Sequence, residues 1–234
     1  MVNLFGRTRS ADCALLCLLV FSACARKEAT SPSTGAFVIE NLGVRFSAWD
    51  PSTNRAGDFI FVPNQQKVFL EFGARVAAAE GGFKELPTFE YRVSKDAWVV
   101  AIAEGRITRL VYQEDTRDYE FTATSNLDPD FEVGYDHVLN LRIGLNRNVN
   151  PGDTLGQPGT WNDDLGRSEI MVNNRKTRLS YCPFCFFNPA TAEAARGQVL
   201  QFIRDWERFK NDTTLYDERN HVFPGCRMDS MVTY

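Results

Sequence analysis

Only two histidines, His137 and His221, occur among 234 residues, so a metal centre with three imidazole ligands is excluded by count. Positive charge is also scarce. The 26 Lys and Arg are outnumbered by 30 Asp and Glu, which argues against nucleic acid as a partner. Long hydrophobic runs are missing too: the apolar stretch Cys13 to Phe21 falls well short of the roughly 20 residues that span a bilayer. There is no internal repeat, and no low-complexity tract apart from residues 25 to 35. What the chain has in quantity is phenylalanine, 18 residues, enough aromatic surface for a substantial core.

The short apolar run makes sense as an export signal. Arg7 and Arg9 precede it as a basic segment, and it ends in Phe21-Ser22-Ala23-Cys24, with small residues before a cysteine. This resembles the lipobox of bacterial lipoproteins, although Phe21 replaces the usual Leu and Asp12 sits just before the run. The resemblance implies a signal peptide over residues 1–23, lipid on Cys24, and anchoring of the mature protein to a membrane in the bacterial cell envelope. Ala25 rather than Asp after the cysteine implies the outer membrane, facing the periplasm, in a Gram-negative cell. Residues 24–35 then read as a tether of small polar residues that cannot bury a core. Loss of residues 1–23 removes Arg7, Arg9 and Asp12 and leaves a net charge of about −5.

Residues 36–180 read as a β domain. Short apolar or alternating runs recur at Phe37–Ile39, Val44–Phe46, Phe59–Val62, Val68–Phe72, Phe89–Val93, Trp98–Ile102, Ile107–Tyr112, Tyr119–Ala123, Val138–Ile143 and Glu169–Val172. Turns separate them at Asp50-Pro51-Ser52, Gly81-Gly82, Asp128-Pro129-Asp130, Asn150-Pro151-Gly152-Asp153 and Gln157-Pro158-Gly159. The spacing predicts a β-sandwich or barrel. Residues 181–234 change character: Asn188 is a candidate helix N-cap with Pro189 at the first helical position. Val199, Phe202, Ile203, Trp206 and Phe209 then share one face until Asn211-Asp212. That stripe predicts an amphipathic helix packed on the β domain.

Cys182-Pro183-Phe184-Cys185 has the spacing of a redox pair, and with Cys226 and His221 it has the makings of a metal set. An oxidising compartment favours a third reading, a structural disulfide from Cys182 or Cys185 to Cys226 that staples the tail.

Four segments follow one another between residues 86 and 172: Val99-Val100-Ala101-Ile102-Ala103-Glu104-Gly105-Arg106-Ile107, Tyr135-Asp136-His137-Val138, Val149-Asn150-Pro151-Gly152-Asp153-Thr154-Leu155-Gly156, and Ser168-Glu169-Ile170-Met171-Val172. In that order they resemble the core of lysostaphin-like (LytM-type) zinc endopeptidases. The resemblance implies a hybrid β-barrel or sandwich related to biotinyl and lipoyl carriers. Val99, Ala101 and Ile107 would form a tight hairpin at Gly105, with sharp reversals at Gly152 and Gly156. It also implies zinc ligands at positions that fall near Leu86 and Glu90, and a His-x-His pair that falls on Leu165-Gly166-Arg167. Arginine stays protonated and cannot ligate a metal. Of the family's site residues only His137 is matched, at a position that assists the attacking water.

The expectation is therefore a degenerate, catalytically inactive domain with no metal or cofactor. Glu90, His137, Arg167 and Glu169 are its vestigial site residues, and Tyr135, Asp136 and His137 its binding candidates. Peptidoglycan, another glycan or an envelope protein would be the partner, and Trp49, Trp98 or Trp161 would stack on sugar rings. The alternative is an active cell-wall hydrolase with non-standard zinc ligands, or with acid and base drawn from Asp136, His137, Glu90 and Glu169.

Overall fold

The computed structural model describes residues 36–78 and 81–232; the signal segment 1–23, Cys24 and the tether up to residue 35 lie outside them. Among the described residues no helix is long and apolar enough to cross a membrane. The fold is mainly β with one C-terminal amphipathic helix, the class expected from the sequence.

An 11-stranded sheet, antiparallel throughout, makes up most of the domain. Its strands are β1 (Phe69–Leu70), β2 (Phe89–Ser94), β3 (Val99–Val100), β4 (Gly105–Gln113), β5 (Asp118–Thr124), β6 (Phe131–Leu139), β7 (Asn148–Val149), β8 (Thr154–Thr160), β9 (Leu165–Asn174), β10 (Leu179–Tyr181) and β11 (Ser230–Val232). Strand β9 is central. Along one edge it pairs with β8 and then β6, and along the other with β2 and then β10. Two small ribbons, Arg55–Ala56 with Phe59–Ile60 and Arg75–Ala77 with Phe83–Glu85, stand outside this sheet.

The helix α1 (Pro189–Lys210) begins and ends where its capping residues dictate. The Asn188 side chain accepts a hydrogen bond from the Ala190 N–H, and Asn211 closes the last turn in the left-handed conformation. Val199, Phe202, Ile203 and Trp206 are fully buried. The Phe202 ring lies 4.4 Å from Phe59 and 5.2 Å from Phe46, and the Trp206 ring 4.9 Å from Phe61. Trp206 Nε1 donates to the Gln66 carbonyl at 3.0 Å. The aromatic stripe thus packs the helix onto the β domain through Phe46, Phe59 and Phe61. Cys182 and Cys226 form a disulfide and Cys185 remains a free thiol, so the staple reading holds. The same bond removes the redox reading of Cys182-Cys185 and the Cys₃His metal set.

Several local expectations need correction. Phe37–Ile39 and Val44–Phe46 lie in no strand, because their apolar side chains reflect burial rather than a hydrogen-bonded ladder. Gln157-Pro158-Gly159 is not a turn but the middle of β8. Gln157 and Pro158 pair there with Leu139 and Val138 of β6, and Gly159 with Arg167 of β9. The expected hairpin at Gly105 is absent: Val99–Val100 pairs with β8, whereas β4, beginning at Gly105, pairs with β5 and β7. Gly105 is needed for another reason, since a Cβ there would sit 2.8 Å from the Thr124 carbonyl oxygen. Gly152 does make a reversal, at φ +89, but Gly156 lies within β8. The strand expected at Val138–Ile143 ends at Leu139, where Asn140 turns into positive φ.

Candidate functional site

Strand alternation sorts β2, β6 and β9 into two faces. Phe89, Tyr91, Tyr135 and Ile170 are buried in the core, and the intervening residues form a charged outer face. Registers then set which charges meet. Asp136 lies opposite Glu169, and Glu169 opposite Glu90, so three carboxylates share one cross-strand row. Like charges directly opposite one another repel. The next row of the same face has Arg167 opposite Arg92.

Arg167 neutralises much of this repulsion. Its Nη2 donates to Glu90 Oε2 at 3.1 Å and also to Glu169 Oε1, while Arg92 Nε donates to the other Glu90 oxygen at 3.2 Å. Burial works against the Arg167 charge, but Glu169 and Glu90 outweigh it and hold its guanidinium above the usual arginine value. Glu169 is different. Burial pushes its carboxyl up, with Glu90 adding to the rise and Arg167 opposing it. Burial likewise raises Asp136, against the pull of His137.

His137 owes its position to a β-bulge. Between Tyr135 and Val138, β6 has one residue more than β5. His137 adopts φ +56, unusual for a residue with a Cβ, and its N–H donates to Asp136 Oδ1 at 2.7 Å. The imidazole Nδ1 lies 2.9 Å from Oδ2 of Asp118, which is itself fully buried and accepts from Thr116 Oγ1 at 2.6 Å. The Asp118 carboxylate fixes the orientation of the ring through its Nδ1. Nε2 lies 3.7 Å from both Asp136 Oδ2 and Glu169 Oε1.

Gly159 makes this arrangement sterically feasible. A Cβ at that position would lie 2.5 Å from Asp118 Oδ2 and 3.2 Å from His137 Cβ. Gly159→Ala is accordingly expected to break the Asp118–His137 pair and to cost about 1–3 kcal/mol through crowding. The His137 imidazole NMR resonances, together with urea unfolding, check this; an unchanged ring environment would contradict it.

Glu90, His137, Arg167 and Glu169, the vestigial set expected from the sequence, thus converge on one face. Tyr135 does not join them. It is a core residue whose hydroxyl accepts the Ile102 N–H at 2.9 Å, because position 135 alternates to the inner face. Among the three tryptophans, Trp161 borders the site: the Arg92 guanidinium lies 3.9 Å from its ring centre and its Nε1 donates to Gln65 Oε1 at 3.1 Å. Trp98 is exposed and lies near Arg142, and Trp49 packs against Phe61 and Phe209. His221 lies apart, its side chain buried with Nε2 3.6 Å from Glu71 Oε1. Asp118, Arg92 and Gln65 were not anticipated. Nothing in the sequence distinguishes Asp118 from an ordinary charged residue after the turn at Thr116-Arg117.

The zinc that the family resemblance implies does not fit these residues. Leu86 offers no donor and packs with Leu70 and Ala74. Both Glu90 oxygens are taken by arginines, and Arg167 is itself a cation. Leu165, at the other position of the expected pair, is buried in the core.

No protein-family model matches the chain, and no curated protein does. Similar solved structures include lysostaphin in solution, at 13% identity over 50% of this chain and 49% of that one, with a TM-score of 0.37. The catalytic domain of lysostaphin from Staphylococcus simulans is 15% identical over 45% of this chain and 77% of that one, TM-score 0.39. A zinc-containing peptidase from Vibrio cholerae is 10% identical over 59% of this chain and 38% of that one, also at 0.39. The chain spans about half the length of lysostaphin.

Proposed function

We propose that this chain is a lipid-anchored envelope protein whose peptidase-like β domain binds peptidoglycan on its outer sheet face without cutting it. The observation that carries the reading is Arg167 held between Glu90 and Glu169, where the resemblance would put a metal ligand. A guanidinium there supplies a fixed positive charge but no open coordination position for a hydrolytic water. Trp161 adds a partly exposed ring beside it, the kind of surface on which sugars stack. The anchoring half of the proposal rests on the lipobox-like run ending in Cys24.

Co-sedimentation of the full chain with purified cell-wall sacculi tests the reading. Binding is expected, and Trp161→Ala should weaken it by about tenfold, roughly 1.4 kcal/mol, with the fold intact by circular dichroism. Failure of the wild type to sediment, or equal binding by a folded Trp161→Ala variant, would overturn it.

A further inference from the structure

The loop between β6 and β7, residues 140–148, is shaped by two asparagines in positive φ, Asn140 at +48 and Asn146 at +66. Backbone bonds pin it near both ends: the Arg142 N–H donates to the Leu155 carbonyl at 2.8 Å, and the Ile107 N–H to the Arg147 carbonyl at 2.9 Å. The side chains it presents therefore start from a fixed backbone.

Arg142 and Arg147 line one open cavity of about 540 Å³, together with Asn148, Asp153 and Thr154. That volume lies within the range of small-ligand sites, about 300–1,000 Å³. Asp153 is the one carboxylate among the described residues lining it, and its Oδ2 already accepts the Asn150 N–H at 2.8 Å. Two guanidiniums thus face one committed carboxylate, in a chain whose acidic residues outnumber its basic ones. A third arginine, Arg106, reaches the same loop, donating to Asn146 Oδ1 at 3.2 Å. Trp98 borders the cluster, exposed and with its ring centre 5.6 Å from the Arg142 guanidinium.

We propose that this cavity binds an oxyanion, phosphate or carboxylate, carried on a saccharide. Arg142 and Arg147 take the charge, and Trp98 takes a face of the sugar ring. A guanidinium suits either anion because its fork of N–H groups spans two oxygens. Asn148 and Thr154 supply further donors. The arginines are exposed, so the site is weak and salt-dependent. It shares no residue with the outer face around Glu90, His137 and Arg167, and neither reading depends on the other.

Full chain should be titrated with glucose 6-phosphate, glucuronic acid and glucose, following the Trp98 indole N–H resonance by NMR. Saturable shifts are expected with at least one charged sugar and none with glucose. A response to glucose 6-phosphate alone assigns a phosphate ligand, and one to glucuronic acid alone a carboxylate. Arg142→Gln, Arg147→Gln and Trp98→Ala, the last read from arginine Nε–H resonances, should each weaken binding by about fivefold. Arg178→Gln, in the turn between β9 and β10, should not change it. Circular dichroism identifies any variant that fails to fold. The wild type alone supplies a further measure, since raising NaCl from about 50 to about 300 mM should also weaken binding. Absence of saturable shifts up to about 50 mM ligand, far above a millimolar Kd, would overturn the proposal. So would equal binding of glucose, salt-independent binding, or undiminished binding by folded Arg142→Gln, Arg147→Gln or Trp98→Ala.

Discussion

Arg167→Met is expected to destabilise the domain by about 3–5 kcal/mol at neutral pH, the typical cost of stranding buried charges by removing one partner. The Glu90 and Glu169 side chains are only 4% and 11% exposed, so little water is available to replace the guanidinium. Methionine keeps most of the side-chain volume, which makes the loss chiefly electrostatic. The sign of the pH dependence follows from Glu169. Burial already raises its folded-state carboxyl above the unfolded value, and removing Arg167 raises it further. The native state then holds a proton that the unfolded chain releases. The penalty therefore grows as pH rises above the unfolded carboxyl value and shrinks as pH falls below it. Urea unfolding of wild type and variant at pH 4.5 and pH 8 should give a clearly larger difference at pH 8. An equal difference at both would mean that Arg167 acts through packing alone.

Replacing both Cys182 and Cys226 by serine is expected to cost about 4 kcal/mol. The disulfide closes a separation of 44 residues, and on the chain-entropy estimate a loop of that length gives about this value. The closed loop contains the whole of α1, whose Phe202 and Trp206 complete the aromatic core. Releasing it thus frees an element that supplies much of the buried surface. A fall in thermal midpoint of roughly 8–16 °C follows for a domain of this size. Reductant should give the wild type the same loss, whereas Cys185→Ser should leave the midpoint unchanged, since that thiol is outside the bond. Unchanged stability on reduction would contradict the staple.

Features that depend on neighbours in sequence were legible in it. Asn188, Pro189 and Asn211 delimit α1 through local capping chemistry, and the 3.6-residue period of Val199, Phe202, Ile203 and Trp206 identifies the buried face. Features that depend on register were not. That Asp136, Glu169 and Glu90 lie in one row follows from the pairing of three strands far apart in sequence. Asp118 reaches His137 only because a one-residue bulge rotates β6 and Gly159 leaves room beside it. Tyr135 illustrates the same limit. Its motif pointed to the site, but alternation along β6 turns it into the core, one residue away from Asp136. Gln157-Pro158-Gly159 misled because proline and glycine mark turns on average, and here they serve close strand approach: a Cβ on Gly166 would come within 2.7 Å of Pro158 Cγ.

The claim that the charged outer face holds ligand without cutting it meets its most direct test in a hydrolysis assay. Full chain would be incubated with purified sacculi, with and without added Zn²⁺, and the soluble fraction analysed for released peptides by mass spectrometry. The account predicts protein bound to the sacculi and no peptide release above the protein-free control in either condition. Peptide release by the wild type that is lost in His137→Gln would contradict it and identify the face as the active site of a hydrolase.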